Sequence, residues 1–167
     1  MDIINNRRSI RSFTKVKVEN EKIIELLKAG MQAPSAGNQQ PWEYIIVTEE
    51  TLLEQLSTLS PYSKPIKNAP LGIVVLSNKS NLKYPELQDH DLGASTQNIL
   101  LKAVDLGLGS VWIGVKPIEE RMKLVCDTLN IPKNLTPYCV IAIGYSDEKP
   151  HFINRFNEKV IHYNKFS

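Results

Sequence analysis

Arg7, Arg8 and Arg11 stand in the stretch RRSIRSF, three guanidinium groups within five residues of a chain whose formal net charge is only +2. Each guanidinium offers a planar fork of donors that matches phosphate oxygens. With the Ser9 hydroxyl they make a seat for a phosphate dianion. The same spacing also suits a solvated helix end, where cations complement the helix dipole. A second group is APSAGNQQPW, Ala33 to Trp42, with two prolines, one glycine, three carboxamides and one serine. It is either a rigid turn whose neutral donors and acceptors read the edge of a polar heterocycle, or a plain helix-to-strand connection with Trp42 in the core. Neutral amides are neither acid nor base. No GxSxG, no Ser/His/Asp set at a recognisable spacing and no carboxylate pair in a motif context accompanies them. If the chain is an enzyme, a cofactor carries the difficult chemistry while the protein binds and tunes it.

Other ligand classes fare poorly. There is no GxGxxG after a strand and no GxxxxGK[ST], so an anionic ligand must be held by side chains. The three histidines are scattered, and Cys126 and Cys139 lack any CxxC or Cys/His spacing; we expect reduced, buried thiols and no metal. Twenty basic against eighteen acidic residues is too even for a nucleic-acid footprint, and no aromatic residues interleave with the arginines for base stacking. No window approaches the roughly 18 apolar residues of a spanning helix. The opening MDIINNRRS has no apolar run after its positive charges, so we expect a cytoplasmic protein without membrane contact.

The elements that must position these groups follow from periodicity. At 167 residues we expect one domain, long enough to bury roughly 70% of its unfolded surface. Asp2 caps a short helix running toward Ser9. A second helix opens at Glu19 or Asn20, with Ile23, Ile24, Leu26, Leu27 and Met31 at helical spacing and Gly30 near its stop. EYIIVT is a strand, and TEETLLEQLSTL a helix capped by Thr48. SPYSKPIKNAP, with three prolines, is expected to be a mobile surface loop. LGIVVLS is a buried strand; the longest helical pattern runs from Glu86 to about Leu106 and ends at Gly107 or Gly109. SVWIGV is a short strand, Pro117 starts a helix to Leu129, and PYCVIAIGYS is a last apolar strand. The tail HFINRFNEKVIHYNKFS is too polar and too aromatic for a core, and needs another surface to lie on. About four strands and five helices without a repeat give an α+β or α/β layered domain.

Taken together, RRSIRSF, APSAGNQQPW, QNILLKAVDLGLGSVWIG and GYSDEKP resemble, in order and spacing, the nitroreductase family of flavin enzymes over nearly the whole chain. The resemblance implies an α+β sandwich with a mostly antiparallel central sheet flanked by helices. It implies an intertwined homodimer, in which residues 150–167 form an arm packing on the partner subunit and FMN lies at the interface. Arg7, Arg8, Ser9 and Arg11 match the N-terminal flavin-binding motif, the arginines near the phosphate and Arg11 reaching the pyrimidine end. Pro34, Ser35, Ala36 and Asn38 match the segment that approaches the flavin from the other subunit. Trp112, Ile113 and Gly114 match the loop beside the isoalloxazine, where a backbone N–H near Ile113 or Gly114 meets flavin N5, and Arg155 matches a phosphate-binding arginine of the arm. Many family members carry a second basic residue two positions before that arginine. Here the place is Ile153, leaving more of the phosphate to Arg7 and Arg8. Lys64 either meets a nicotinamide nucleotide's phosphates or is solvated, and we take it as solvated.

The implied activity is hydride transfer from NADH or NADPH, through FMN, to nitroaromatics, quinones or similar electron-poor acceptors in a ping-pong cycle. The alternatives are a specialised branch performing flavin fragmentation, dehalogenation or enoate reduction, and a non-catalytic flavin carrier or sensor.

Overall fold

The computed structural model describes residues 2–80, 82–149 and 151–166. Four strands form one sheet: Trp42–Val47 (β1), Leu71–Asn78 (β2), Gly109–Gly114 (β3) and Leu135–Gly144 (β4), in the order β1-β2-β4-β3 with every neighbouring pair antiparallel. Side chains along a strand alternate between the two faces of a sheet, and here both faces are apolar. Leu71, Ile73, Val75, Cys139, Ile141 and Ile143 fill one side; Val74, Leu76, Val140 and Ala142 fill the other. The two central strands therefore read as unbroken apolar runs, and each fully buried aliphatic side chain contributes roughly 1.5–3 kcal/mol.

Helices cover both faces. Asn20–Met31 (α2, after the short Ile3–Asn6, α1) and Gln88–Asp105 (α5) pack on the first face through Ile23, Leu26, Leu92, Ile99, Leu100 and Ala103. Glu50–Leu56 (α3), Pro65–Asn68 (α4) and Glu119–Leu129 (α6) cover the second through Leu53, Leu56, Ile66 and Val125. This is the α+β sandwich expected from the sequence, with six α-helices among the described residues rather than five.

Several local expectations are corrected. SPYSKPIKNAP is no mobile surface loop: Ser63 and Ile66 are fully buried, Ala69 nearly so, and α4 is fitted between them. Pro65 starts that helix without sacrificing a bond, because the first turn has spare N–H groups in any case. Gly30 is near the stop of α2 as expected, one residue before its last, and is buried there, where an added Cβ would come 2.9 Å from the Tyr44 hydroxyl and 3.0 Å from Ile99 Cδ1. Thr48 caps nothing, since α3 begins at Glu50 behind Glu49, which makes no side-chain cap bond. Asp2 does cap α1, accepting the Asn5 N–H at 3.0 Å, but that helix ends at Asn6. α6 starts two residues beyond Pro117. Gly107, at φ 74°, ends α5, with the Leu108 N–H reaching back to the Ala103 carbonyl at 2.8 Å. Cys139 is buried as expected, whereas Cys126 is only partly so, and both thiols are free. Among the described residues no helix is long and apolar enough to cross a membrane.

Candidate functional site

The arginine stretch is a strip of extended chain laid along the outer edge of β3. Ser9 forms a parallel bridge with Ser110, and the Ile10 N–H donates to the Ser110 carbonyl at 3.0 Å. Ile10 is turned inward and buried, and it lies directly over Gly109. A Cβ on Gly109 would stand 2.7 Å from Ile10 Cγ2 and 2.9 Å from Ile10 Cβ, so only glycine admits this approach. Further along, Glu148 Oε1 accepts the backbone N–H groups of Arg11 at 3.0 Å and Ser12 at 2.6 Å. The Thr14 N–H then donates to the Tyr145 carbonyl at 2.8 Å. Tyr145 is itself fixed: its hydroxyl donates to Glu19 at 2.8 and 2.7 Å and accepts from Lys22 Nζ at 2.6 Å. That hydroxyl holds the Glu19 carboxyl below the ordinary carboxylate range and the Lys22 ammonium above its usual value. The strip is thus pinned at four successive points, which leaves the arginine side chains to face outward.

They converge on one groove. Arg7, Arg8, Ser9 and Arg11 line a cavity of about 410 Å³ together with Arg155 and Ile153 of the C-terminal arm, His151 and Glu148. Arg8 ties the strip to the arm, its Nε donating to the His151 carbonyl at 3.0 Å and its Nη1 to the Arg7 carbonyl at 2.7 Å. Its Nη2 is buried without a partner. Two other buried polar atoms are orphaned among the described residues, Thr14 Oγ1 and Ser110 Oγ, and both lie on the strip or on the strand it joins. Buried donors are rarely left unpaired, and Arg8, whose Nη2 is one, lines the groove with Arg7, Arg11 and Arg155, an arrangement suited to an anion.

Arg11 also lines a second cavity, of about 430 Å³, with Pro61, Tyr62, Lys64, Pro65, Val111, Trp112 and Ile113. The two cavities therefore share a cation at their junction. Lys64, taken from the sequence as merely solvated, is exposed but lines the same space as Arg11. The Trp112 ring alternates to the α5 side of the sheet and tilts against Tyr138 with centroids 5.8 Å apart, so it is the edge of β3 at Trp112 and Ile113 that borders the cavity. Gly114 follows, its carbonyl accepting from Arg121 Nη1 at 2.9 Å, with nothing within 4 Å of where a Cβ would project.

Pro34, Ser35, Ala36 and Asn38 line neither cavity of their own chain. Pro34 and Ser35 lead into a single-turn 3₁₀ element, Ala36–Asn38, beside the N-terminal part of α5, where the Ala36 N–H donates to Asp91 and the next residue, Gln39, donates to Asp91 and to the Tyr84 carbonyl. Trp42 is a core residue, 8% exposed. Two residues of evident importance had no role assigned from sequence. Glu148 lies within GYSDEKP, but nothing in that stretch points to the strip, 136 and 137 residues away, whose N–H groups it holds. Asp91 had no local signal at all beyond a carboxylate on the otherwise apolar side of a helix.

The arm itself, 151–166, lies almost wholly exposed. Phe152 is 63%, Phe156 69%, Tyr163 84% and Phe166 91% accessible, and the only regular piece is a single turn at Glu158–Val160. The His162 ring stacks on Phe166 at 4.1 Å.

Comparison with known proteins places this geometry. A Clostridium acetobutylicum protein, solved as a provisional NADH oxidase, superposes with a TM-score of 0.96 at 49% identity, covering 99% of this chain and 100% of that one. The FMN-dependent nitroreductase of Clostridium difficile gives a TM-score of 0.90 at 34% identity, with 98% of each chain covered. An Archaeoglobus fulgidus protein, provisionally named an NADH dehydrogenase/NAD(P)H nitroreductase, is 41% identical over 99% of this chain and 98% of its own. The profile of the Nitroreductase family matches residues 4–145, from the start of the arginine strip's helix to the end of the last strand. With the sheet order, the strip on the β3 edge and the whole length accounted for, the chain belongs to the Nitroreductase family.

Proposed function

We propose that this chain is an FMN-dependent oxidoreductase that takes hydride from NADH or NADPH and delivers it to nitroaromatics, quinones or similar electron-poor acceptors. The observation that carries the reading is the convergence of Arg7, Arg8, Arg11 and Arg155, from opposite ends of the sequence, on one groove that continues past Arg11 into a second cavity. The residues fit the cofactor. An orphaned, buried Arg8 Nη2 among four guanidinium groups suits a phosphate dianion, while the adjoining cavity, walled by the β3 edge, suits a planar ring.

FMN, when bound, supplies a carrier that accepts hydride at N5 and passes it on. The chain's own groups then have definite tasks. Arg7, Arg8 and Arg155, with the Ser9 hydroxyl, hold the phosphate. Arg11 and Lys64 put two cations at the ring cavity, where they favour the negative charge that collects at the pyrimidine edge on reduction. Backbone polar groups alternate direction along an edge strand. Because the Ser110 carbonyl is used from outside, Trp112 and Gly114 share its outward orientation and Ile113 faces β4. Of the two N–H groups expected near N5, that of Gly114 is therefore the better placed. Pro61 and the exposed Tyr62 border the cavity and would bound the space that both reactants use in a ping-pong cycle.

Residues 1–167 form one domain whose terminal arm packs on a second copy of the chain. Two features support a homodimer: the apolar side chains displayed by the arm, and the turn at Pro34–Asn38, which stands clear of its own groove and is available to a partner's.

A visible absorption spectrum of the purified protein, recorded before and after anaerobic NADH and then NADPH, tests the reading. Flavin bands that bleach with either donor, and return on adding a quinone or nitroaromatic, are the expected result. Colourless protein that takes up no FMN overturns the cofactor assignment; bound flavin that neither donor reduces leaves a carrier or sensor instead.

A further inference from the structure

We propose that Asp91 is a positioning residue for the flavin site, setting the shape of the turn at Pro34–Asn38 that walls the site of the partner subunit; the inference rests on the reading of that turn given above. The turn is costly to form. Gly37, Asn38 and Gln40 all have positive φ, at 54°, 54° and 47°, and two of the three carry a Cβ. Backbone strain of this kind persists only where the surroundings hold it.

Asp91 holds both ends. It sits in the first turn of α5, 4% exposed, and its Oδ1 accepts the Ala36 N–H at 2.9 Å while its Oδ2 accepts Gln39 Nε2 at 2.7 Å. Gln39 passes the constraint outward: its Oε1 accepts the Tyr84 N–H at 3.0 Å, and its Nε2 also donates to the Tyr84 carbonyl at 3.2 Å. Tyr84 completes the clamp, because a Cβ on Gly37 would stand 2.6 Å from Tyr84 Cε2. All donors to Asp91 are neutral. A buried carboxylate without a counter-ion is an expensive means of making an ordinary connection, and apolar packing serves that purpose at lower cost. Gripping Ala36 and Gln39 fixes the height and tilt of Ser35 and Asn38, the two side chains of the turn able to hydrogen-bond a heterocycle edge.

The polarity of the relay is readable from its bonds, and this gives the test. In Asp91→Asn one amide must point an NH₂ at Gln39 Nε2, and flipping Gln39 only moves the donor–donor clash to the Tyr84 N–H. Asp91→Asn with Gln39→Glu again pairs a donor with an acceptor at the 91–39 contact and leaves the Tyr84 N–H an acceptor; it gives up only the 3.2 Å bond to the Tyr84 carbonyl, which still accepts the Leu87 N–H at 3.1 Å. FMN release from the holoenzyme, followed by the rise of free-flavin fluorescence, is expected to be about ten-fold faster in D91N and to return close to the parent rate in D91N/Q39E. Thermal melting of each variant separates this from a general loss of stability, which would not be rescued by the second change. Release at the parent rate in D91N, or no recovery in the double variant, overturns the proposal. If D91N does not fold, Gln39→Met, made at a half-exposed position, carries the same expectation. Ser35→Ala and Asn38→Ala test the underlying reading separately: unchanged release in both means the turn does not touch flavin and removes the proposal with it. Faster release in these two, with D91N unchanged, overturns the role of Asp91 alone.

Discussion

The strip at Arg7–Arg11 and the arm bearing Arg155 bring cations to the same groove by opposite means. The strip is fastened to its own chain at Ile10, Arg11, Ser12 and Thr14, through Ser110, Glu148 and Tyr145, with Ile10 driven into the core. The arm is tied to the strip where Arg8 donates to the His151 carbonyl, and it exposes Phe152, Phe156, Tyr163 and Phe166 to solvent. One half of the groove is thus determined by the fold of a single chain, and the other half needs a second surface to bury roughly half a dozen apolar side chains worth 1.5–3 kcal/mol each when fully covered. A cofactor held between two such halves reports on both.

The largest break comes from truncating the chain after Pro150. Circular dichroism should still show the sheet and helices, whereas sedimentation should show loss of the dimer and the spectrum loss of all flavin; an intact, yellow dimer removes the arm from the account. Next, Arg7→Ala or Arg11→Ala should yield folded protein that binds FMN about a hundredfold more weakly, each losing a charge-assisted contact. Full occupancy in both would place the phosphate elsewhere. A smaller and different effect is expected of Gly109→Ala, which disturbs the strip without touching a cation. Driving a Cβ into Ile10 should cost about 1–3 kcal/mol in denaturant unfolding and weaken FMN in parallel, because the arginines ride on Ile10.

The mildest test concerns the sheet, which should be indifferent to flavin. Burial pushes the Tyr44 and Tyr138 hydroxyls up to about 12 from an ordinary value of 10.0. Groups with raised values in the folded state bind protons there that the unfolded chain has already lost. Their contribution is complete below pH 10 and is lost as the pH climbs toward 12. The denaturation midpoint should fall over that interval, and less steeply in Tyr44→Phe.

The strands were legible because LGIVVLS and PYCVIAIG are buried on both faces and therefore apolar without interruption, a pattern that depends on no distant residue. α5 was legible for the related reason that its inward stripe repeats with helical period. What the sequence concealed was long-range. α4 hides among prolines, since Ser63 and Ile66 are buried only by virtue of what α3 and β4 bring over them. Gly30 does lie at the end of α2 and Gly109 at the start of β3, but the sequence did not show that each is a glycine because another chain segment passes close by. The grouping of the arginines with Arg155 was available through the likeness of the motifs to a family, but Glu148, which orients two N–H groups of the strip from 136 and 137 residues away, and Asp91, 55 residues from Ala36, announce nothing locally.

One feature of the sheet bears on how the protein behaves in the hand. The strip covers the edge of β3 only as far as Ser110; beyond it the Gly114 carbonyl is taken by Arg121, while the Trp112 backbone groups and the Gly114 N–H turn outward, the kind of groups from which strands recruit other strands. Unpaired edges of this sort are templates for intermolecular pairing. Preparations stripped of FMN should accordingly cloud on warming or concentration sooner than replete ones, and adding FMN during refolding should raise the yield of soluble protein by shielding that edge.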